Sequence, residues 1–142
     1  MESGKKETIT VETTVQKSVE KVWECWTAPQ HITQWSKASD DWHAPHAEND
    51  LRVGGKFLTR MEAKDGSFGF DLTGVYDEVK LHAFISYTLA DGRRVEITFI
   101  GQGSGTKVVE TFEAESTNSI EMQEAGWQAI LDNFKEYAET IQ

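Results

Sequence analysis

Along the chain the spacing of hydrophobic residues changes from a period of two to one near 3.6, and each change marks an element. Ile9, Val11, Thr13 and Val15 fall on one side of a segment whose other side carries Thr8, Thr10, Glu12 and Thr14, the alternation of a strand. Ser18 then stands where a cap belongs, and Val19, Val22, Trp23 and Trp26 follow at i, i+3, i+4 and i+7, which predicts a helix. Pro29 suits the first turn of a second short helix, with Ile32 and Trp35 on its inner side. Residues Ser36 to Asn49 include Trp42 and Pro45 but keep no period, and they read as an ordered loop.

From Asp50 onward, turn signals at Gly54-Gly55, Asp65-Gly66, Asp91-Gly92 and Gly101 through Gly105 separate a series of alternating runs. Phe57, Thr59, Met61 and Ala63 share one face, as do Phe68, Phe70, Leu72 and Tyr76, with Gly74 interrupting the second set where a bend or bulge is expected. Ile85, Tyr87 and Leu89 come next, then Val95, Ile97 and Phe99, then Thr106, Val108, Glu110 and Phe112. The pattern predicts an antiparallel meander, with six or seven strands in the whole chain.

The last segment returns to helical spacing. Asn118 and Glu121 stand in a capping-box relation, and Trp127, Ile130, Leu131, Phe134, Ala138 and Ile141 form one stripe. A helix over 119–140 would be roughly 33 Å long, enough to cross a small sheet. No repeat or linker divides the chain, so one domain over residues 1–142, with its core at about 8–141, is expected. The order strand, two short helices, meander and long helix places every helix on one face of a curved antiparallel sheet, the α+β class.

Composition narrows the partners. Hydrophobic residues make up 38% and charged residues 27%, which is ordinary for a globular chain and suggests neither disorder nor a fibrous repeat. A formal net charge of −10, with no dense Lys/Arg cluster, argues against nucleic acid and against anionic lipid headgroups. No stretch approaches the ~20 apolar residues that a membrane span requires, so membrane insertion is not expected. Cys25 is the only cysteine and cannot form an internal disulfide, and the start MESGKKETIT has no apolar run like a signal peptide, so a cytoplasmic location is expected.

A bent sheet wrapped on a long helix encloses volume, which is either left open as an apolar pocket or filled by side chains. The aromatic candidates for lining it are Trp26, Trp35, Trp42, Phe57, Phe70, Tyr76, Tyr87, Phe99, Trp127 and Phe134, joined by Met61, Leu131 and Glu110. Glu110 is in phase with Val108 and Phe112. It is either buried, which demands a partner such as Arg60 or His82, or exposed by a register slip.

His43, His46 and Glu48 are metal-ligand types close in sequence. The intervening Pro45 and the lack of a further ligand favour a polar loop at the cavity mouth, and no metal is assigned. Neither a nucleophile elbow, nor a serine with an evident His/Asp set, nor a phosphate-cradling loop is present, so no catalytic residue and no cofactor is assigned. Cys25, between Trp23 and Trp26 on a helix, reads as packing material.

The order of elements, together with Ser18-Val19-Glu20-Lys21-Val22-Trp23, Gln34-Trp35, the block from Asp50 to Phe57, Gly105-Thr106 and Gly126-Trp127, resembles one family over about Thr8 to Ile141. It is similar to the C-terminal-type domain of the heat-shock-protein-90 ATPase activator, a stress-response-related, polyketide cyclase-like branch of the START/birch-pollen-allergen helix-grip superfamily. The resemblance implies a helix-grip fold with a cavity between sheet and C-terminal helix that holds lipids, polyketide-like or aromatic small molecules in many relatives. It also implies a chaperone ATPase as an alternative partner, met through the surface, and a cyclase- or hydrolase-like activity using Glu110 or the His43/His46 loop as a further alternative. The eukaryotic activator carries a separate N-terminal domain that supplies much of the chaperone contact, for which this chain has no room. The family name is therefore not taken as this protein's function.

Overall fold

The helical start after the first strand is set by single residues. In a computed structural model, which describes residues 7–141, strand β1 (Thr8–Val15) gives way at Ser18, whose hydroxyl accepts from the Lys21 amide at 3.3 Å and caps helix α1 (Val19–Thr27). Ala28 leaves helical backbone at φ −80°, ψ 128°, the extended conformation favoured ahead of a proline, and Pro29 opens helix α2 (Pro29–Trp35). Residues 1–6 of MESGKKETIT, the start considered above for a leader, lie outside the described residues, as does Gln142.

Strands β2 (Trp42–Asn49), β3 (Lys56–Ala63), β4 (Gly69–Lys80), β5 (Phe84–Leu89), β6 (Arg94–Gln102) and β7 (Gly105–Glu113) follow, and helix α3 (Ile120–Thr140) ends the chain. All neighbours pair antiparallel in the order β1-β7-β6-β5-β4-β3-β2, so the first strand docks beside the last and the rest form a meander. The seven-stranded sheet curls into a half-barrel, with α3 packed along β1 and α2 along β2, the α+β helix-grip arrangement.

Three expectations are corrected. The stretch read as a loop over residues 36–49 contains an edge strand, β2, whose register with β3 shifts between His43 and His46. The bulge spans Pro45, which has no amide to donate, and an extra residue inverts the inside-outside alternation, so the strand carries no period. The long helix is capped by Ser119, whose hydroxyl accepts from the Met122 amide at 3.1 Å, whereas Asn118 turns its amide to Glu115 at 2.7 Å. Gly74 serves a third purpose, distinct from a bend. A Cβ there would lie 2.6 Å from Phe57 Cε2, so the missing side chain lets the Phe57 ring lie across β4, and the register shift in β4 comes later, between Tyr76 and Glu78.

The core lies between the sheet's concave face and the helices. Val15, Val22, Val95, Ile97, Val108, Phe112, Leu131 and Phe134 are fully buried, and the expected stripe of α3 covers them. The helix is also held at its polar flank: Lys135 Nζ donates to the Thr14 carbonyl at 2.6 Å, and Asn133 donates to the Lys37 carbonyl at 2.5 Å. The Trp35 indole donates to the Cys25 carbonyl at 2.9 Å and locks α2 onto α1. Cys25 is buried, and that burial raises its thiol pKa, which keeps it protonated and unreactive.

Candidate functional site

Alternation along a strand puts every second residue on the concave face, and the middle of that face is not filled. A cavity of about 140 Å³ opens there beneath the helices. Strand β3 contributes Phe57, Thr59 and Met61, β4 contributes Leu72 and Tyr76, and β5 contributes Ile85, Tyr87 and Leu89. Across from them stand Trp26 of α1, Ile32 and Trp35 of α2, and Trp127 and Ile130 of α3. Glu110 of β7 completes the wall, while Ser36, Asn49 and the exposed Glu48 mark the polar side where the cavity reaches the surface.

The aromatic walls are braced from behind. Trp26 and Trp35 lie 4.9 Å apart, and Phe134 meets them edge-on at 4.8 and 4.9 Å. Trp127 stacks on Phe112 with centroids 3.8 Å apart and planes 10° from parallel, which fixes the indole two residues along the strand from Glu110. On the sheet, Phe57 approaches Tyr87 at 4.8 Å and Tyr76 at 5.5 Å. Such offset and edge-to-face pairs each add on the order of 1 kcal/mol beyond burial and hold the rings in place.

Thus Trp26, Trp35, Phe57, Met61, Tyr76, Tyr87, Glu110 and Trp127 converge on one cavity. The other candidates lie elsewhere. Leu131 and Phe134 are fully buried in the core behind it, and Phe99 packs edge-on against Trp23 at 5.2 Å. Phe70 pairs with Met61 but sits at the end of β4 and is 41% exposed, joining Phe68 and Trp42 in a surface cluster with centroids 6.0 to 6.1 Å apart. Ile32, Thr59, Leu72, Ile85, Leu89 and Ile130 also line the cavity without being among the expected residues, although each shares the phase of one that is. Ser36, Glu48 and Asn49 lie in the stretch that carries no period.

Polar groups in the cavity divide into satisfied and unsatisfied. The Tyr76 hydroxyl donates to Asn49 Oδ1 at 2.5 Å, and Asn49 Nδ2 donates to the Thr27 carbonyl at 2.6 Å, a relay that ties β4 to β2 and α1. Glu110 is different. It is 6% exposed, its cross-strand neighbours are Val11 and Ile97, and among the described residues its carboxyl makes no hydrogen bond or ion pair. Burial alone raises its pKa to about 8. Tyr87 faces the same space, and its hydroxyl pKa is raised by burial and by the neighbouring Glu110.

Neither expected counterpart reaches Glu110. Arg60 is engaged by Glu62 at 2.9 Å and Asp71 at 3.3 Å, and His82 stands edge-on to Trp23 at 5.8 Å. The register is continuous through β7, so the carboxyl points inward and is not exposed by a slip. The histidines of β2 have separate partners, His46 with Glu48 at 2.7 Å and His43 with Glu62 at 3.6 Å, and no group of three metal-ligand side chains is gathered among the described residues.

A long C-terminal helix laid into a curled antiparallel sheet, with a cavity between them, defines a helix-grip domain. The chain belongs to the family described as Activator of Hsp90 ATPase homolog 1-like protein, whose model matches residues 16–139. Among solved structures, the AHSA1-like protein from Aeromonas hydrophila is 44% identical, with 94% of this chain and 93% of that one covered and a TM-score of 0.89. A protein from Cytophaga hutchinsonii is 53% identical over 94% of this chain and 92% of that one, with a TM-score of 0.82. A Nitrosomonas europaea protein at 19% identity shares the fold with a TM-score of 0.80, covering 94% of each chain. No curated protein matches the chain in sequence. Among the described residues no helix is long and apolar enough to cross a membrane.

Proposed function

We propose that this domain binds a small hydrophobic molecule in the cavity between its sheet and its C-terminal helix. The supporting observation is the cavity itself, about 140 Å³ of space walled by braced aromatic rings. Protein interiors pack at crystal density, and walls facing a void lose dispersion contacts, so a gap of this size costs stability until something fills it. Its volume is close to that of an engineered apolar cavity of ~150 Å³ that takes up benzene. One aromatic ring therefore fits the resting shape, whereas a lipid or polyketide-like ligand requires α3 to move away from the sheet.

Binding rather than turnover suits the chemistry of the walls. Among the described residues Glu110 has no second acid, base or nucleophile hydrogen-bonded to it to orient it for general acid–base catalysis. The chaperone-docking alternative draws on the family's name, and the cavity does not speak for it.

The test is a chemical-shift titration with toluene, phenol and indole. Saturable shifts of the Trp26, Trp35 and Trp127 indole signals are expected, with the surface Trp42 unmoved, and Ile130→Phe, which fills the space, should weaken binding at least tenfold. Shifts confined to Trp42, or none that saturate, would contradict this function.

A further inference from the structure

We infer that the cavity selects a one-ring organic cation, a benzylamine-type amine or an aryl amidine, whose charged group pairs with Glu110 while its ring lies among the indoles. This rests on the binding function proposed above and adds the sign of the ligand's charge. The first observation is geometric: Glu110 is more than nine-tenths buried, lines the cavity, and among the described residues has no hydrogen bond or ion pair. A carboxyl placed between Val11 and Ile97 with nothing to meet it is destabilising, and burying a charge without a partner is what folded chains avoid. The missing partner is a donor that arrives from outside.

The second observation is the absence of any competing positive charge. Among the described residues no Lys, Arg or His lines the cavity, and the one other carboxylate in its lining, Glu48, stands exposed at the edge. The walls are of the kind that attract cations, because the face of an indole or phenol ring is electron-rich. Trp26, Trp35, Trp127 and Tyr87 provide such rings within one small space. An anion would meet only acceptors and electron-rich faces. A neutral ring would fill the space and leave the carboxyl unpaired.

The titratable groups that face Glu110 do not supply the charge either. Tyr87 of β5 is a neutral phenol whose own pKa is raised by burial and by Glu110, Tyr76 of β4 is committed to Asn49, and the strands on either side present Val11 and Ile97. Arg93, the cation with an electrostatic influence on Tyr87, is held by Asp91 at 2.8 Å. When the cation enters below the pH at which Glu110 ionises on its own, the carboxyl proton is released to solvent. Affinity should therefore rise with pH up to about 8 and then level off.

Benzamidine, benzamide and benzoate share size and shape and differ in charge, so they separate the questions when titrated into the whole domain with the Trp26, Trp35 and Trp127 signals as readout. Expected is benzamidine binding at least tenfold more tightly than benzamide at pH 7.5, with benzoate weakest, and a preference that grows from pH 6 to 8. Glu110→Gln should abolish the preference while benzamide still binds, which also shows that the variant is folded. Benzamide binding as tightly as benzamidine overturns the charge inference and leaves the binding function standing. A benzamidine preference that survives in Glu110→Gln overturns it equally. No saturable shift with any of the three, nor with toluene, overturns both.

Discussion

At the scale of single residues, Glu110 couples stability to pH in an unusual direction. Its pKa is raised by burial from 4.5 to about 8, so between those values the folded chain keeps a proton that the unfolded chain has released. Stability contributed by the neutral form is complete below about pH 4.5 and is lost as pH rises through about 8, in sum on the order of 5 kcal/mol. Carboxylates held low by partners act outside this window: Glu115, which accepts from the Asn118 and Thr117 amides, loses its contribution only as pH falls below its ordinary range. Urea unfolding should therefore give a lower stability at pH 8.5 than at pH 5.5, and Glu110→Gln should remove most of that difference. Parallel pH profiles for the two proteins would show that the carboxyl is solvated. Gly74 offers a second residue-scale prediction. Gly74→Ala must push the Phe57 ring or the strand away, at a cost of about 1–3 kcal/mol, and should perturb Tyr87 ring resonances; Gly66→Ala, strained by its φ of +79° but with open space around it, should leave them alone.

At the scale of elements, the helix caps separate what a pattern can show from what it cannot. Asn118 and Glu121 have the spacing of a capping box, yet Ser119 holds the Met122 amide. Ser119→Ala should cost about 1 kcal/mol in thermal or urea unfolding, with Asn118→Ala costing less. Equal losses would mean the helix begins a residue earlier. The same limit explains β2. Most of the meander was legible because alternation survives wherever a strand is flat and half-buried, as at Val95, Ile97 and Phe99. In β2 the bulge between His43 and His46, spanning Pro45, flips the sides partway along, and no period of two remains to be read. The candidate site was legible to a similar depth. Phase along β3, β5 and β7 puts Phe57, Tyr87 and Glu110 inside. On α3, however, Trp127, Ile130, Leu131 and Phe134 belong to one stripe, and nothing in their spacing says that the first two look into a void and the last two into packed core. A helical stripe identifies the buried side. The gap beneath it depends on which side chains arrive from the sheet.

At the scale of the whole molecule, the fold is a half-barrel gripped along one side by a helix, and the grip leaves room. Family membership and the likeness to the Aeromonas hydrophila and Cytophaga hutchinsonii proteins support that architecture, and the cavity is where the proposed ligand would sit. The net charge of −10 lies mostly on surface carboxylates, some of which, such as Glu62 and Glu139, pair with Arg60 and Lys135, while among the described residues the carboxyl at the centre has no such partner. Ligand entry should stabilise the domain by mass action, raising the melting temperature with concentration, and a cavity already filled by Ile130→Phe should lose that response.

The central claim is that a ring occupies the space beneath α3, and intermolecular NOEs from a saturating one-ring ligand test it most directly. Contacts are predicted from the ligand to the indole protons of Trp26 and Trp127 and to the ring of Tyr87, with none to Trp42, Phe68 or Phe70. Contacts to that surface cluster instead, or no NOE to any cavity residue, would contradict the account.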